Sequence, residues 1–214
     1  MEAVAERTVW NWLFNPFRYI AGAGALGLGL LAIILMAVLG YLGHTHLDGV
    51  LDVHAGPPGP LHDFILQGLL DWLLLSLTLL ATALILRLKF RLIDLWGTQA
   101  LARWPLLIPV GLLACPPVAR SSEAAQQYFL ALSTTEGPPA AAPVAALLVF
   151  VPIILLLLGA IVWMILLMYR GYSVSANVKG ARGVLSFIVA LGAAEIAAKL
   201  CLWKLALLPM PGGN

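Results

Sequence analysis

Charged side chains are scarce. Asp, Glu, Lys and Arg make up 10% of the 214 residues, against ~25% in a soluble domain. So few charges cannot cover the surface of a water-soluble monomer of this size. Disorder is excluded by the same scarcity, because a disordered chain is polar and charged. Cysteine is nearly absent: Cys115 and Cys201 are the two, with no CxxC. That count excludes a disulfide framework and a cysteine-based zinc site, and two thiols in apolar runs read as small hydrophobes. Runs of basic charge are missing too. The net charge is +2, and the densest cluster is Arg87, Lys89 and Arg91, which argues against a nucleic-acid partner. There is no Gly-x-Ser-x-Gly and no His-Glu-x-x-His. Ser173, Ser175 and Ser186 have no histidine nearby in the sequence. Nucleophilic and intramembrane-metalloprotease chemistry therefore lack their usual residues, and no enzymatic activity is expected.

Apolar residues are what the chain has in quantity: 62% hydrophobic, with a mean hydropathy of +0.98. A membrane-spanning helix needs ~20 mainly apolar residues. Five stretches qualify, at about 19–43, 64–86, 96–118, 144–169 and 183–208. They are apolar on every face, so they are not the alternating strands of a membrane barrel. In hydrocarbon such runs satisfy their backbone hydrogen bonds by becoming helices. The expected fold is all-α, a polytopic bundle of five transmembrane helices. The long first run follows no cleavable-signal pattern and is expected to remain as an anchor. Gly27 and Gly29 within it read as helix-packing surface.

Lys and Arg set the expected orientation. Arg7 and Arg18 precede the first span. Arg87, Lys89, Arg91 and Arg103 fall between or beside the second and third, and Arg170, Lys179 and Arg182 lie between the fourth and fifth. The loop 44–63 has none, and the loop 119–143 has only Arg120. The N-terminus is then cytoplasmic and the C-terminal tail, 209–214, extracytoplasmic. Residues 1–18 form a cytoplasmic segment. Val9, Trp10, Leu13, Phe14 and Phe17 recur at helical spacing, which predicts an interfacial helix over 3–14, with Asn15 and Pro16 opening the next helix. Arg103 is expected to snorkel at the cytoplasmic end of the third span. Residues 120–132 suggest an amphipathic helix on the membrane surface, followed by a Pro/Gly linker.

Two constellations stand out. All four histidines lie in or beside the first outer loop, where His44, His46, Asp48, Asp52 and His54 form a candidate divalent-metal site, since imidazole and carboxylate both ligate zinc and related ions. The alternative is a polar loop tucked over the bundle. The second is an intramembrane polar centre of Asp71, Glu195 and Lys199. Glu195 and Lys199 stand four apart, in the favourable order for a helical ion pair. A charge at the bilayer centre costs ~2.5–3.5 kcal/mol on insertion scales, so such a pair is either a packing device or an ion relay.

The segment Asn15-Pro16-Phe17-Arg18-Tyr19-Ile20-Ala21-Gly22 ahead of a Gly/Leu-rich span resembles bacterial members of the Yip1 family. So do Asp94-Leu95-Trp96-Gly97-Thr98-Gln99-Ala100-Leu101-Ala102-Arg103-Trp104-Pro105 and the stretch from Gly171-Tyr172-Ser173-Val174-Ser175 to Gly180-Ala181-Arg182-Gly183. The resemblance implies a non-enzymatic integral membrane protein, five spans with a cytoplasmic N-terminus, and a location in the bacterial inner membrane. Eukaryotic relatives act in membrane traffic and contact Rab GTPases through a cytosolic N-terminal region, and no Rab-binding residue is assigned here. Expected partners are membrane lipids, a second copy or another membrane protein. A small transporter and a metal-binding protein are the rival readings.

Overall fold

The computed structural model describes residues 9–133, 143–205 and 207. The fold is all-α. Its helices are α1 (Val9–Phe14), α2 (Gly22–Gly43), α3 (Leu61–Ile85), α4 (Leu92–Leu101), α5 (Leu107–Leu113), α6 (Pro116–Ser133), α7 (Val144–Ser175) and α8 (Gly180–Lys204). Two short 3₁₀ turns, Pro16–Arg18 and Trp104–Leu106, precede α2 and α5. The described strands are the two-residue pair β1 (Thr45–His46) and β2 (His54–Ala55), antiparallel with His46 opposite His54. α2, α3, α7 and α8 are each long and apolar enough to cross a membrane.

The third stretch differs from the expectation in its boundaries, and with its 86° bend it is a broken span or a re-entrant loop. Leu92–Leu113 runs as one direction and then bends by 86° into α6. Residues Pro116 and Pro117, expected at the end of a span, instead open the bent helix, where a missing N–H costs nothing. α4 and α5 lie alongside α2 and parallel to it. A Cβ on Gly22 would sit 3.3 Å from the Asp94 carboxylate, and one on Gly43 2.8 Å from the Leu113 carbonyl. Between these ends, Gly29 lies directly on the backbone of Ala100 and Leu101. The segment 92–113 is therefore as long as α2 and matched to it end to end.

Small residues make that match. Ala25, Gly29, Ala32 and Gly40 are buried along one face of α2, and Gly97 of α4 fits against the backbone of Gly22 and Leu26, 2.6 and 2.9 Å from where its Cβ would be. Without a water-driven hydrophobic effect between helices, such close approach is what holds spans together. Gly27 departs from the expectation, since it faces open space with nothing within 4 Å.

α3 runs back antiparallel to α2, with Gly40 near Phe64 and Gly68 near Ile33. α8 runs antiparallel to α3: Arg182 donates to the Leu86 carbonyl at 2.9 Å near one end, and Gln67 donates to the Leu207 carbonyl at 2.7 Å at the other. α7 packs on α4, α5 and α6. α7 and α8 meet around the hairpin joining them, where Tyr169 and Tyr172 contact the Phe187 ring at 5.6 and 6.2 Å and Ser186 Oγ lies 3.2 Å from the Tyr172 hydroxyl.

α1 is described from Val9, and residues 3–8 of the expected interfacial helix lie outside the described residues. α1 leans on α7: Trp163 donates to the Leu13 carbonyl at 3.2 Å, and Arg170 donates to the Phe14 carbonyl. Val9, Trp10 and Trp12 stay exposed. Asn15 makes no side-chain cap, and Pro16 opens a 3₁₀ turn, not the long helix. α2 starts at Gly22, whose φ of 61° admits glycine readily. The linker after α6 and the tail 209–214 fall outside the described residues.

Candidate functional site

The loop between α2 and α3 folds into the bundle. Residues Thr45 to Val50 are buried without a break, and Leu47 and Val50 belong to the same apolar core as Ala194 and Ala198 of α8. The loop fills the gap left where α7 and α8 diverge from their hairpin. This is the tucked-loop alternative, and it brings the two sequence constellations into one site.

Three contacts seat the loop on α8. The Leu51 amide donates to Glu195 Oε2 at 3.0 Å. Lys199 donates to Asp52 Oδ2. Lys199 is only 3.8 Å from Glu195 Oε1, so the helical Glu195–Lys199 pair is secondary to the contacts each makes with the loop. Gly49 lies directly over the Glu195 carboxylate, where a side chain would collide with it. The expected placement of Glu195 as a partner chiefly to its own helix neighbour is thus corrected. Its carboxylate caps an exposed backbone amide of a buried loop, which would otherwise be an unpaired donor.

His54 stands beside two acids, with Nδ1 3.2 Å from Asp48 Oδ1 and 3.6 Å from Asp52 Oδ1. The polar contact with Asp48 raises the His54 pKa above the ordinary imidazole value. Burial opposes that rise, and the charges of Asp48 and Asp52 support it. For Asp52, burial alone would raise the pKa. The hydrogen bond and charge of Lys199, helped by His54, outweigh burial and hold it below the usual carboxylate range.

Asp48, Asp52 and His54 bring ligand atoms within 4.8 Å of one another. The other two candidates do not join them. His46 Nε2 lies 2.9 Å from the Pro57 carbonyl, which can only accept, so that nitrogen carries the proton. His46 Nδ1 then accepts from Gln67 at 3.1 Å. With both ring nitrogens engaged, His46 is a structural residue, stacked 4.5 Å from Phe64. His44 sits in a left-handed conformation, φ 48°, and turns toward α6, away from the cluster.

Asp71 and Arg103 form the deeper part. Asp71 is 0% exposed and Arg103 1%. Neither carboxylate oxygen of Asp71, nor Nε or Nη2 of Arg103, has a hydrogen-bond partner among the described residues. Asp71 is electrostatically coupled first to Arg103, then to Glu195, Asp48 and Lys199. Arg103 stands beside the Gly29 crossing and Asp71 one turn beyond Gly68, so both lie near the middle of α2's length. Arg103 was expected to snorkel at a span end. Instead the helical segment starts at Leu92, and Arg103 lies buried about halfway along 92–113. Removing an ion from water costs several kcal/mol even after relaxation, and here little hydrogen bonding offsets it. The expected centre of Asp71, Glu195 and Lys199 is therefore re-drawn. Asp71 and Arg103 are the two most deeply buried charged side chains, with no ion pair between them among the described residues, while Glu195 and Lys199 contact the loop.

The three serines Ser173, Ser175 and Ser186 are occupied structurally: Ser173 donates to the Val178 carbonyl at 2.6 Å, Ser175 meets Thr98 at 3.2 Å, and Ser186 donates to the Gly183 carbonyl at 3.1 Å. Cys115 and Cys201 are free thiols. No family model matches the chain, and neither does any curated protein or solved structure.

Proposed function

We propose that this chain is a small proton-handling membrane protein, a transporter or ion-conducting subunit, with Asp71 as the proton-bearing group. The observation that supports this most is the burial of Asp71 and Arg103 at mid-level with orphaned polar atoms. Ionisable residues inside a membrane mark relays and ion pathways by default. Arg103 balances the charge of Asp71 when it is ionised. Glu195, Asp48 and Lys199 are the charged groups between the loop and α8 whose fields reach Asp71. The docked loop covers these groups, and undocking it opens Asp71 to the outer solution. On this reading the loop acids and His54 are an electrostatic latch. A divalent metal there would first have to displace the Lys199 ammonium from Asp52. In the proposed orientation the loop is extracytoplasmic, the N-terminus cytoplasmic and the membrane the bacterial inner membrane.

The test is proton flux in proteoliposomes carrying a trapped pH dye and a potassium-diffusion potential. The wild-type chain should acidify the lumen faster than empty vesicles, and Asp71→Asn should abolish the difference. Equal rates for wild type, Asp71→Asn and empty vesicles would refute the reading.

A second reading is the Yip1-like one, a non-enzymatic protein acting through lipid or protein contacts. What supports it is the wide apolar exterior of α7 and α8, where Leu148, Leu155, Val162, Leu185, Val189 and Ile196 are exposed. It predicts no flux in the vesicle assay and a stable association with a second copy or another membrane protein.

A further inference from the structure

A groove separate from the Asp71–Arg103 centre lies between the tucked loop, α6 and α7. Two adjoining cavities, of ≈ 260 and ≈ 220 Å³, share Thr45, Ala55, Leu113, Ser122 and Gln126 as walls. Joined, they enter the range of ~300–1,000 Å³ typical of small-molecule sites. The two ends differ in chemistry. One is lined by His44, Ser122, Glu123 and Gln126. The other is lined chiefly by Phe150, Ile153, Ile154 and Leu157 of α7, with Val53 and His54 of the loop at its edge.

Ser122 carries the argument. It is 3% exposed, lines both cavities, and its hydroxyl has no hydrogen-bond partner among the described residues. A buried hydroxyl left unpaired costs ~1–3 kcal/mol, so its presence at the junction calls for an occupant that bonds to it. His44 Nδ1, at the polar end, is likewise buried and without a partner among the described residues. The formal charge at that end is the Glu123 carboxylate, and no Lys or Arg lines either cavity. A negative polar end joined to an apolar one fits an amphiphile with an ammonium headgroup and an alkyl chain. The apolar end is formed by a helix whose neighbouring side chains, Val151 and Leu155, are exposed, so the chain of such a ligand reaches the groove from the bilayer.

We propose that this groove binds a phospholipid with a primary-ammonium headgroup, phosphatidylethanolamine. The ammonium pairs with Glu123, Ser122 and His44 bond to the headgroup oxygens, and one acyl chain lies along Ile153, Ile154 and Leu157. The proposal does not require proton handling, although His54 of the latch lines the groove's apolar end.

The test uses the full chain, delipidated in mild detergent and titrated with phosphatidylethanolamine, phosphatidylcholine or phosphatidylglycerol while thermal unfolding is followed. Phosphatidylethanolamine should raise Tm saturably, phosphatidylcholine less, and phosphatidylglycerol least. Glu123→Gln, at an exposed position, should weaken phosphatidylethanolamine roughly tenfold, the worth of a charged hydrogen bond, and erase its advantage over phosphatidylglycerol. Ser122→Phe, which fills the junction, should abolish the shift. If that variant does not fold, Ile154→Trp blocks the groove from the opposite wall and must give the same loss. Equal shifts from the three lipids, or a phosphatidylethanolamine shift that survives both Glu123→Gln and a folded groove-filling variant, would overturn the proposal.

Discussion

The seam between α2 and α4 and the seat of the loop on α8 use opposite means to do the same thing, which is to close two elements together. The first is dry and backbone-close, with Gly29 against Ala100 and Leu101 and Gly97 against Gly22 and Leu26. The second is polar, with Leu51 on Glu195 and Asp52 on Lys199. A seam of small residues is close-packed and has no intermediate state. A seat made of partly exposed charges is weak per contact and responds to pH. The bundle thus has one seam closed by packing and one closed by charge as well as burial.

The comparison breaks hardest at Gly29. Gly29→Leu should push α4 off α2 at a cost of at least ~1–3 kcal/mol, the usual range for overpacking, and lower the Tm in detergent or prevent monodisperse purification. Gly27→Leu, two residues away in open space, should purify and melt as wild type, and equal damage from both would remove the packing argument. The next effect is at the two buried charges. Arg103→Met removes a buried charge near Asp71 and should shift the Tm, and Asp71→Leu in the Arg103→Met background should change that shift if the two interact. Strictly additive losses in a double-mutant cycle would mean the two do not interact.

Smaller effects test the loop. Lys199→Met should cost at most ~1 kcal/mol in global stability, since the pair with Asp52 is partly exposed. It should nevertheless raise amide hydrogen exchange over residues 47–54, while the α2–α4 amides stay protected. The smallest effect is that of pH on the same exchange, with Asp48 and Asp52 the charges facing His54 and the His46 ring stacked beside it. The Asp52 pKa is lowered in the folded chain, so its contribution is present above ~3.9 and fades as pH falls through the folded value. That of His54 is raised, so its contribution is complete below ~6.5 and lost as pH rises through the folded value. Loop protection should peak in mildly acidic solution, and His54→Gln should flatten its alkaline limb.

Much of this architecture was legible in the residues. Uninterrupted apolar runs have few other folds open to them, so α2, α3, α7 and α8 fall close to their expected ranges. The loop's polar content, and Glu195 with Lys199, were visible as anomalies of composition. Their meeting was not, because sequence does not say which elements are neighbours: Asp52 finds Lys199 across 147 positions. Arg103 was misjudged for a local reason. Four prolines obscured the third crossing, and starting it at Trp96 put the guanidinium near an end. Gly27 and Gly29 look alike in sequence, and only the phase of the helix separates the one that touches α4 from the one that does not. His46 offered a ligand by type, yet Gln67 and Pro57 had already claimed both nitrogens.

The length of α7 has a consequence of its own. Its 32 residues extend about 48 Å at 1.5 Å per residue, well beyond the ~30 Å of bilayer hydrocarbon. Such an excess is accommodated by leaning or by projecting into the headgroups. α6 packs against α7, and α1 is fastened to it through Leu13 and Phe14. Leaning α7 in a thinner bilayer would therefore also move the α1 and α6 ends fastened to it.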